Sequence, residues 1–251
     1  HRDLHSFPTR RSSDLDILLM PTNKQVFNNG ADGKEGYKSK FSHDREIAAP
    51  GYYSVHLDDT DIDIELTVSK RSGIHKYTFP SAENQFVILD LLHRDKVLDA
   101  NIEKISDTEL VGYRFSEAWA TDQRLFFSIK TSHSFSDALQ SPPKKGMAGA
   151  QKIALNCINP NNEPVYIKIG ISAVDIEGAK KNLETEIGDK SFEQIKKVAQ
   201  DIWEKQLEKI VIESEDTTYK TNFYTALYHT MIAPNIYQDV DGRYRGMDMK
   251  I

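Results

Sequence analysis

Cysteine is almost missing from this chain: Cys157 stands alone among 251 residues. One thiol forms no internal disulfide, so the fold rests on its core and not on covalent staples. Cys157 closes the apolar run KIALNC, which favours a buried small hydrophobe over a nucleophile. Long hydrophobic runs are missing too, and nothing approaches the roughly 18 apolar residues of a membrane span. No stripe of basic residues exists, because 32 Lys and Arg are mixed with 38 Asp and Glu for a net charge of -6. Nucleic-acid binding therefore has little footing, and the mixed charge reads as solvated surface. Within 16–251 there is no His-x-x-x-His pair to suggest zinc, and His43 and His75 read as lone structural histidines. Ser134 and Ser136 lack the flanking glycines of a nucleophile elbow, which leaves serine-hydrolase chemistry without support.

What is present describes a soluble globular protein with a sizeable core. The hydrophobic fraction is 39% and the mean hydropathy -0.55. Residues His1–Leu15, HRDLHSFPTRRSSDL, lack periodicity and crowd Arg and Ser together. They resemble a translated sequencing adapter and are set apart from the fold as a non-native tail. This reading leaves the true N-terminus, and any signal peptide, outside the sequence.

From Asp16 the chain alternates like β-structure. DIDIELTVS sets Ile62, Ile64, Leu66 and Val68 on one side with acids and Thr between them, the period of a half-buried antiparallel strand. DILLMPT, YYSVHL, IHKYTF, FVILDLL, LVGYRF, RLFFSIKTS, KIALNC and VYIKIGISAV read as further strands, separated by turn signals such as Pro50-Gly51 and Arg71-Ser72-Gly73. At least eight short strands without intervening helices predict a mainly β, antiparallel sandwich over 16–178. Composition then turns helical over 179–214. Ser191 with Gln194 forms a capping box, and Phe192, Ile195, Val198, Ala199, Ile202 and Ile210 line one face of a single linker helix. A last amphipathic helix follows, capped by Asp216 or Thr217 and ended by Pro234, with Tyr219, Phe223, Ala226, Leu227 and Met231 on one side.

The run FYTALYHTMIAPNIYQDVDGRYRGMD resembles the motif that opens the catalytic barrel of the family 92 glycoside hydrolases, calcium-dependent exo-acting α-mannosidases. DILLMPT, FSHDREIAAPGYYSV, RSGIHKYTFP and EAWATDQ are similar to successive landmarks of that family's N-terminal sandwich. The resemblance implies a galactose-mutarotase-like super-sandwich over 16–178, a helical linker over 179–214, and the start of an (α/α)6 barrel over 215–251. It further implies an inverting mannosidase cut at both ends, with a mannose-containing glycan as substrate, Ca2+ as cofactor and an extracytoplasmic setting. By the same implication the general acid, the base and most calcium ligands lie beyond Ile251, so no catalytic or metal role falls on a residue here. A non-catalytic carbohydrate-binding sandwich with a helical tail is the rival reading. A different sandwich-plus-barrel family, such as an inverting phosphorylase, is disfavoured by the same run.

Seven residues stand out as substrate neighbours. Asp239, Asp241, Asp248, Arg243 and Arg245 cluster in QDVDGRYRGMD, and Asp with Arg fork-bonds vicinal hydroxyls. The plainer alternative makes DVDG a turn that its arginines pin to the sandwich. DVDG lacks the downstream ligands of an EF-hand. His93 in DLLHRD and Trp119 in EAWA complete the set, Trp119 because aromatic rings stack on sugar faces, although a tryptophan beside a strand is also ordinary core.

Overall fold

The alternating segments become two antiparallel sheets in the computed structural model, which describes residues 16–118, 120–136, 139–141, 144–147, 149–233 and 236–251. His1–Leu15, Trp119 and Pro234 lie outside the described residues. The strands are β1 (Leu18–Thr22), β2 (Glu46–Ala49), β3 (Tyr52–Leu57), β4 (Ile62–Val68), β5 (Ser72–Thr78) and β6 (Phe86–Asp90). They continue with β7 (Lys96–Lys104), β8 (Glu109–Glu117), β9 (Gln123–Thr131), β10 (Leu139–Gln140), β11 (Lys152–Asn156) and β12 (Val165–Ser172). The smaller sheet runs β1-β6-β11-β10 and the larger β2-β3-β4-β5-β12-β9-β8-β7.

Between the sheets lies the main core, where Leu57, Ile62, Val87, Ile88, Leu89, Phe127, Ile129, Ile153 and Ile167 are sealed from solvent. Ile62, Ile64 and Leu66 are buried as their spacing predicts, while Val68 at the strand end is half-buried. Cys157 sits in this core, and burial pushes its thiol up to about 12, which keeps it protonated and inert. His75 is buried on β5 beside Tyr77, whose hydroxyl lies 2.7 Å from Nδ1, and burial lowers its pKa to about 4. Both are structural, as the sequence suggested.

Three strands escape the sequence reading, the two-residue β10 among them. β2 is only four residues long. β7 carries Lys, Asp and Glu along an edge, and its register shifts between Val97 and Asp99, which breaks the two-residue period there.

A second, smaller core covers the other face of the large sheet. Helix α1 (Ile176–Glu186) packs on β12 and β9, and α2 (Phe192–Leu207) on β3, β4 and β5. Ile74 meets Leu183, Ile187, Phe192 and Ile195 there. Full burial of a side chain such as Phe192 or Ile195 contributes about 1.5–3 kcal/mol. The linker is thus two helices, not one. Gly188 takes φ +49 after α1, and Ser191 then opens α2 with its capping box to Gln194. Ile210 falls beyond the end of α2, and Val198 and Ile202 are about half exposed instead of buried.

Helix α3 (Thr217–Met231) is capped by Asp216, whose Oδ1 accepts from the Thr218 and Tyr219 amides. None of its residues is buried. Its hold on α2 includes the Trp203–Tyr228 ring contact, with centroids 4.6 Å apart. Tyr219 projects into solvent at 69% exposure, and Phe223, Leu227 and Met231 are half-buried. Among the described residues no helix is long and apolar enough to cross a membrane.

Candidate functional site

The segment 236–251 folds back onto the end of the large sheet as a tight loop in which Asp and Arg interleave. Its turn is closed by the Asp239 amide donating to the Arg243 carbonyl at 2.8 Å and the Gly242 amide to the Asp239 carbonyl at 3.0 Å. Gly242 accommodates the turn with φ +91.

Asp239 is the buried anchor, 4% exposed. One carboxylate oxygen accepts from the Ser172 hydroxyl and the other from the Asn182 side-chain amide, each at 2.7 Å. Asn182 also accepts from the Val240 amide at 2.9 Å and donates to the Ile171 carbonyl at 2.8 Å, so one side chain reads the loop backbone and ties it to β12. Gly178 makes room: a Cβ there would stand 2.2 Å from the Asp239 carboxylate. Ser172, Asn182 and Gly178 escaped the sequence reading because nothing local marks a serine at a strand end, or an asparagine and a glycine within a helix, as partners of a distant loop.

The arginines fasten the rest. Arg243 reaches both oxygens of Asp175, at 2.6 and 3.4 Å, and the guanidinium holds that carboxyl below its usual range. Asp175 is also the cap of α1, accepting from the Gly178 amide. Arg245 donates to three backbone carbonyls, Ala173 at 2.8 Å, Val174 at 2.9 Å and Met249 at 3.0 Å. Arg71, on the β4–β5 turn, adds a hydrogen bond to the Gln238 carbonyl while pairing with Glu186. The pinning geometry foreseen as the plainer alternative is therefore present for Asp239, Arg243 and Arg245.

Asp241 and Asp248 differ. Asp241 accepts from the Arg243 amide and Nε and pairs with Lys181 at 3.3 Å, contacts that hold its carboxyl below the normal range. Asp248 is exposed, receives the Lys250 amide at 3.2 Å, and has the Lys250 ammonium 3.7 Å away.

His93 lies on the β6–β7 loop, half-buried, with Nδ1 2.9 Å from the Asp90 carbonyl. That loop is fixed by Arg114, which is 1% exposed and donates to the Leu91 and Arg94 carbonyls and to Asp16. Asp16 in turn accepts from Gln123 at 2.6 Å, at the foot of the β8–β9 turn. On that turn Asp122 pairs with Arg124 and lies close enough to Arg245 to feel its charge. The His93 loop, the β8–β9 turn and the 236–251 segment thus gather at one end of the large sheet. An arginine at an inward position of LVGYRF was the available signal for Arg114.

Two family models cover nearly the whole chain: the glycosyl hydrolase family 92 N-terminal domain over 5–172 and the family's catalytic domain over 178–251. The chain belongs to glycosyl hydrolase family 92. Among solved structures it resembles the family GH92 alpha-mannosidase BT3965 from Bacteroides thetaiotaomicron, at 28% identity and a TM-score of 0.80, over 94% of this chain and 34% of that one. The same enzyme in complex with mannoimidazole matches at 28% identity and a TM-score of 0.79, over 94% and 33%. The family GH92 inverting mannosidase BT2199 from Bacteroides thetaiotaomicron VPI-5482 shares the fold, at 21% identity and a TM-score of 0.77, over 92% and 32%. The chain spans about a third of the length of these structures. No curated protein matches it. Membership in family 92 agrees with the mainly β architecture and with the helical segment that follows the sandwich.

Proposed function

We propose that this chain is the sandwich and the opening of the catalytic domain of an inverting exo-α-mannosidase. Its substrates are terminal α-mannosides of glycans such as N-glycans or mannans, met outside the cytoplasm. What carries the reading is the succession of the two family-92 domains along one chain, joined to 28% identity with an alpha-mannosidase also solved with mannoimidazole.

Inversion needs one carboxylic acid to protonate the leaving oxygen and one carboxylate to activate water, roughly 6.5–9.5 Å apart on opposite faces of the sugar. Asp239 serves neither role here, because both of its oxygens are occupied by Ser172 and Asn182. The two catalytic carboxyls come from the helical part of the catalytic domain. This chain supplies walls and position: Asp241, Asp248 and His93 are the sugar-facing candidates, and Asp239, Arg243 and Arg245 serve the site by holding the loop that bears the first two.

Calcium is the cofactor that the family resemblance implies. Among the described residues no three His, Cys, Asp or Glu side chains converge to hold a metal ion. Calcium takes six to eight oxygen ligands, carboxylates, carbonyls and waters among them, and the described residues offer no cluster of carboxylates around which to build that shell.

The test is to incubate the full product of this gene with an α-mannoside and follow the anomeric proton by NMR. Release of β-mannose first supports the reading. Release of α-mannose first overturns inversion, and binding of mannan without hydrolysis favours a non-catalytic carbohydrate-binding module.

A further inference from the structure

Asp90, the last residue of β6, is sealed from solvent. Its carboxylate accepts from the Tyr37 hydroxyl at 2.8 Å and the Leu92 amide at 2.7 Å, and it pairs with the Lys152 ammonium at 2.6 Å. Burial and the adjoining carboxylate push the Tyr37 hydroxyl above its usual range, so it remains a donor. Lys152 faces Asp90 across the β6–β11 pair and also donates to the Phe27 carbonyl at 3.2 Å. Phe27 and Tyr37 both belong to the connection between β1 and β2, which the Tyr37 amide closes on the Asn28 carbonyl at 3.0 Å. One buried carboxylate thus joins that connection, β11 and the β6–β7 loop.

The β6–β7 loop is fixed more completely than a surface turn requires. Arg114 holds the Leu91 and Arg94 carbonyls, the Leu91 amide bonds the Gln151 carbonyl at 3.0 Å, and Asp90 holds the Leu92 amide. Water could satisfy these groups without any charge being buried, and a buried ion pair is a poor device for stability alone. What the arrangement delivers is the setting of one side chain. His93 Nδ1 lies 2.9 Å from the Asp90 carbonyl, and because a carbonyl only accepts, Nδ1 carries the proton. The neutral ring then holds its lone pair on Nε2, where it is an acceptor. We propose that Asp90, Tyr37 and Lys152 are positioning residues that fix the orientation and tautomer of His93 for recognition of a sugar hydroxyl. The proposal rests on the reading of His93 as a sugar-facing candidate.

Long-range 1H–15N spectra of the chain labelled at histidine test the support directly, with His93→Gln assigning the resonance. The wild type is expected to show His93 as the Nδ1–H tautomer. Asp90→Ala is expected to mix in the Nε2–H form while the circular dichroism stays that of the wild type. A wild type in the Nε2–H form, or an unchanged tautomer in a folded Asp90→Ala, overturns the proposal. Should Asp90→Ala fail to fold, Tyr37→Phe, which removes a single hydroxyl, carries the same comparison. In the full product of the gene, kcat/KM on an α-mannoside is expected to fall at least about tenfold in His93→Ala and in Asp90→Ala, about 1.4 kcal/mol each. The double variant should be no worse than His93→Ala alone, since both changes remove one interaction. Additive losses, or a His93→Ala enzyme as active as the wild type, overturn the proposal. If the wild-type product releases no mannose, the mannosidase reading fails, and the tautomer comparison alone decides whether Asp90 positions His93.

Discussion

The Asp239 carboxylate and the Asn182 side-chain amide meet at 2.7 Å although 57 residues separate them in the chain. That contact couples the end of the sandwich to the loop beyond α3, since Asn182 also bonds the Ile171 carbonyl of β12. Substituting Asp239 by Ala leaves the Ser172 hydroxyl and the Asn182 amide buried without this acceptor. An orphaned buried polar group costs about 1–3 kcal/mol. The substitution should therefore release 236–251 while sparing the sandwich, seen as loss of amide protection in hydrogen exchange confined to 236–251. Protection lost throughout β3–β5 instead would contradict a local role.

Arg114 carries a heavier burden. It is buried with Asp16 and bonded to the Leu91 and Arg94 carbonyls. Removing one partner of such a pair strands the other charge, at about 3–5 kcal/mol. Arg114→Met should lower the urea midpoint accordingly, and restoring neutrality with Asp16→Asn in the same chain should recover part of the loss. Equal stability of single and double variants would show that the two side chains do not interact.

The sheets were legible in the sequence because each strand carries its own alternation, as in Ile62, Ile64 and Leu66. The capping box of Ser191 and Gln194 was legible because both partners lie within one turn. β7 was not: its charged edge position and its register shift at Val97–Asp99 erase the signal. The break between α1 and α2 was hidden by a helical composition that continues across Gly188. At the candidate site, sequence supplied the loop residues from Asp239 to Asp248 but not their receptors. Ser172, Asp175 and Asn182 meet the loop through contacts that span 57–68 residues, which no local pattern encodes.

His75 gives the protein an acid-sensitive core. Burial lowers its pKa from 6.5 to about 4. The unfolded chain therefore binds a proton between these values that the folded chain refuses. The contribution of neutral His75 is fully present above pH 6.5 and is lost as pH falls toward 4, by about 3 kcal/mol in total. Urea denaturation at pH 7, 5.5 and 4.5 should show this slope, and His75→Gln, which keeps a polar side chain beside the Tyr77 hydroxyl, should remove its share. A slope unchanged by His75→Gln would assign it to other groups.

Within the 251-residue chain itself no mannose release is expected from α-mannosides, with or without added calcium. The carboxylate best placed by its burial is spent on holding the loop, and circular dichroism of this piece should be mainly β. Measurable turnover that survives repurification and disappears on Asp241→Asn/Asp248→Asn would move the chemistry into the loop.

Association should accompany that inactivity. Val198 and Ile202, one turn apart on α2, are 51% and 49% exposed, and Val211, Tyr219 and Met247 stand out at 74%, 69% and 104%. Val198 and Ile202 share one face of α2, and an exposed apolar face invites association. Val198→Glu/Ile202→Glu removes two of these side chains from a half-exposed helix face, so folding should be largely unaffected while the scattering mass falls. If the wild-type chain runs as a monodisperse monomer across a wide concentration range, these residues are merely scattered surface hydrophobes. If the double variant still associates, the contact lies elsewhere.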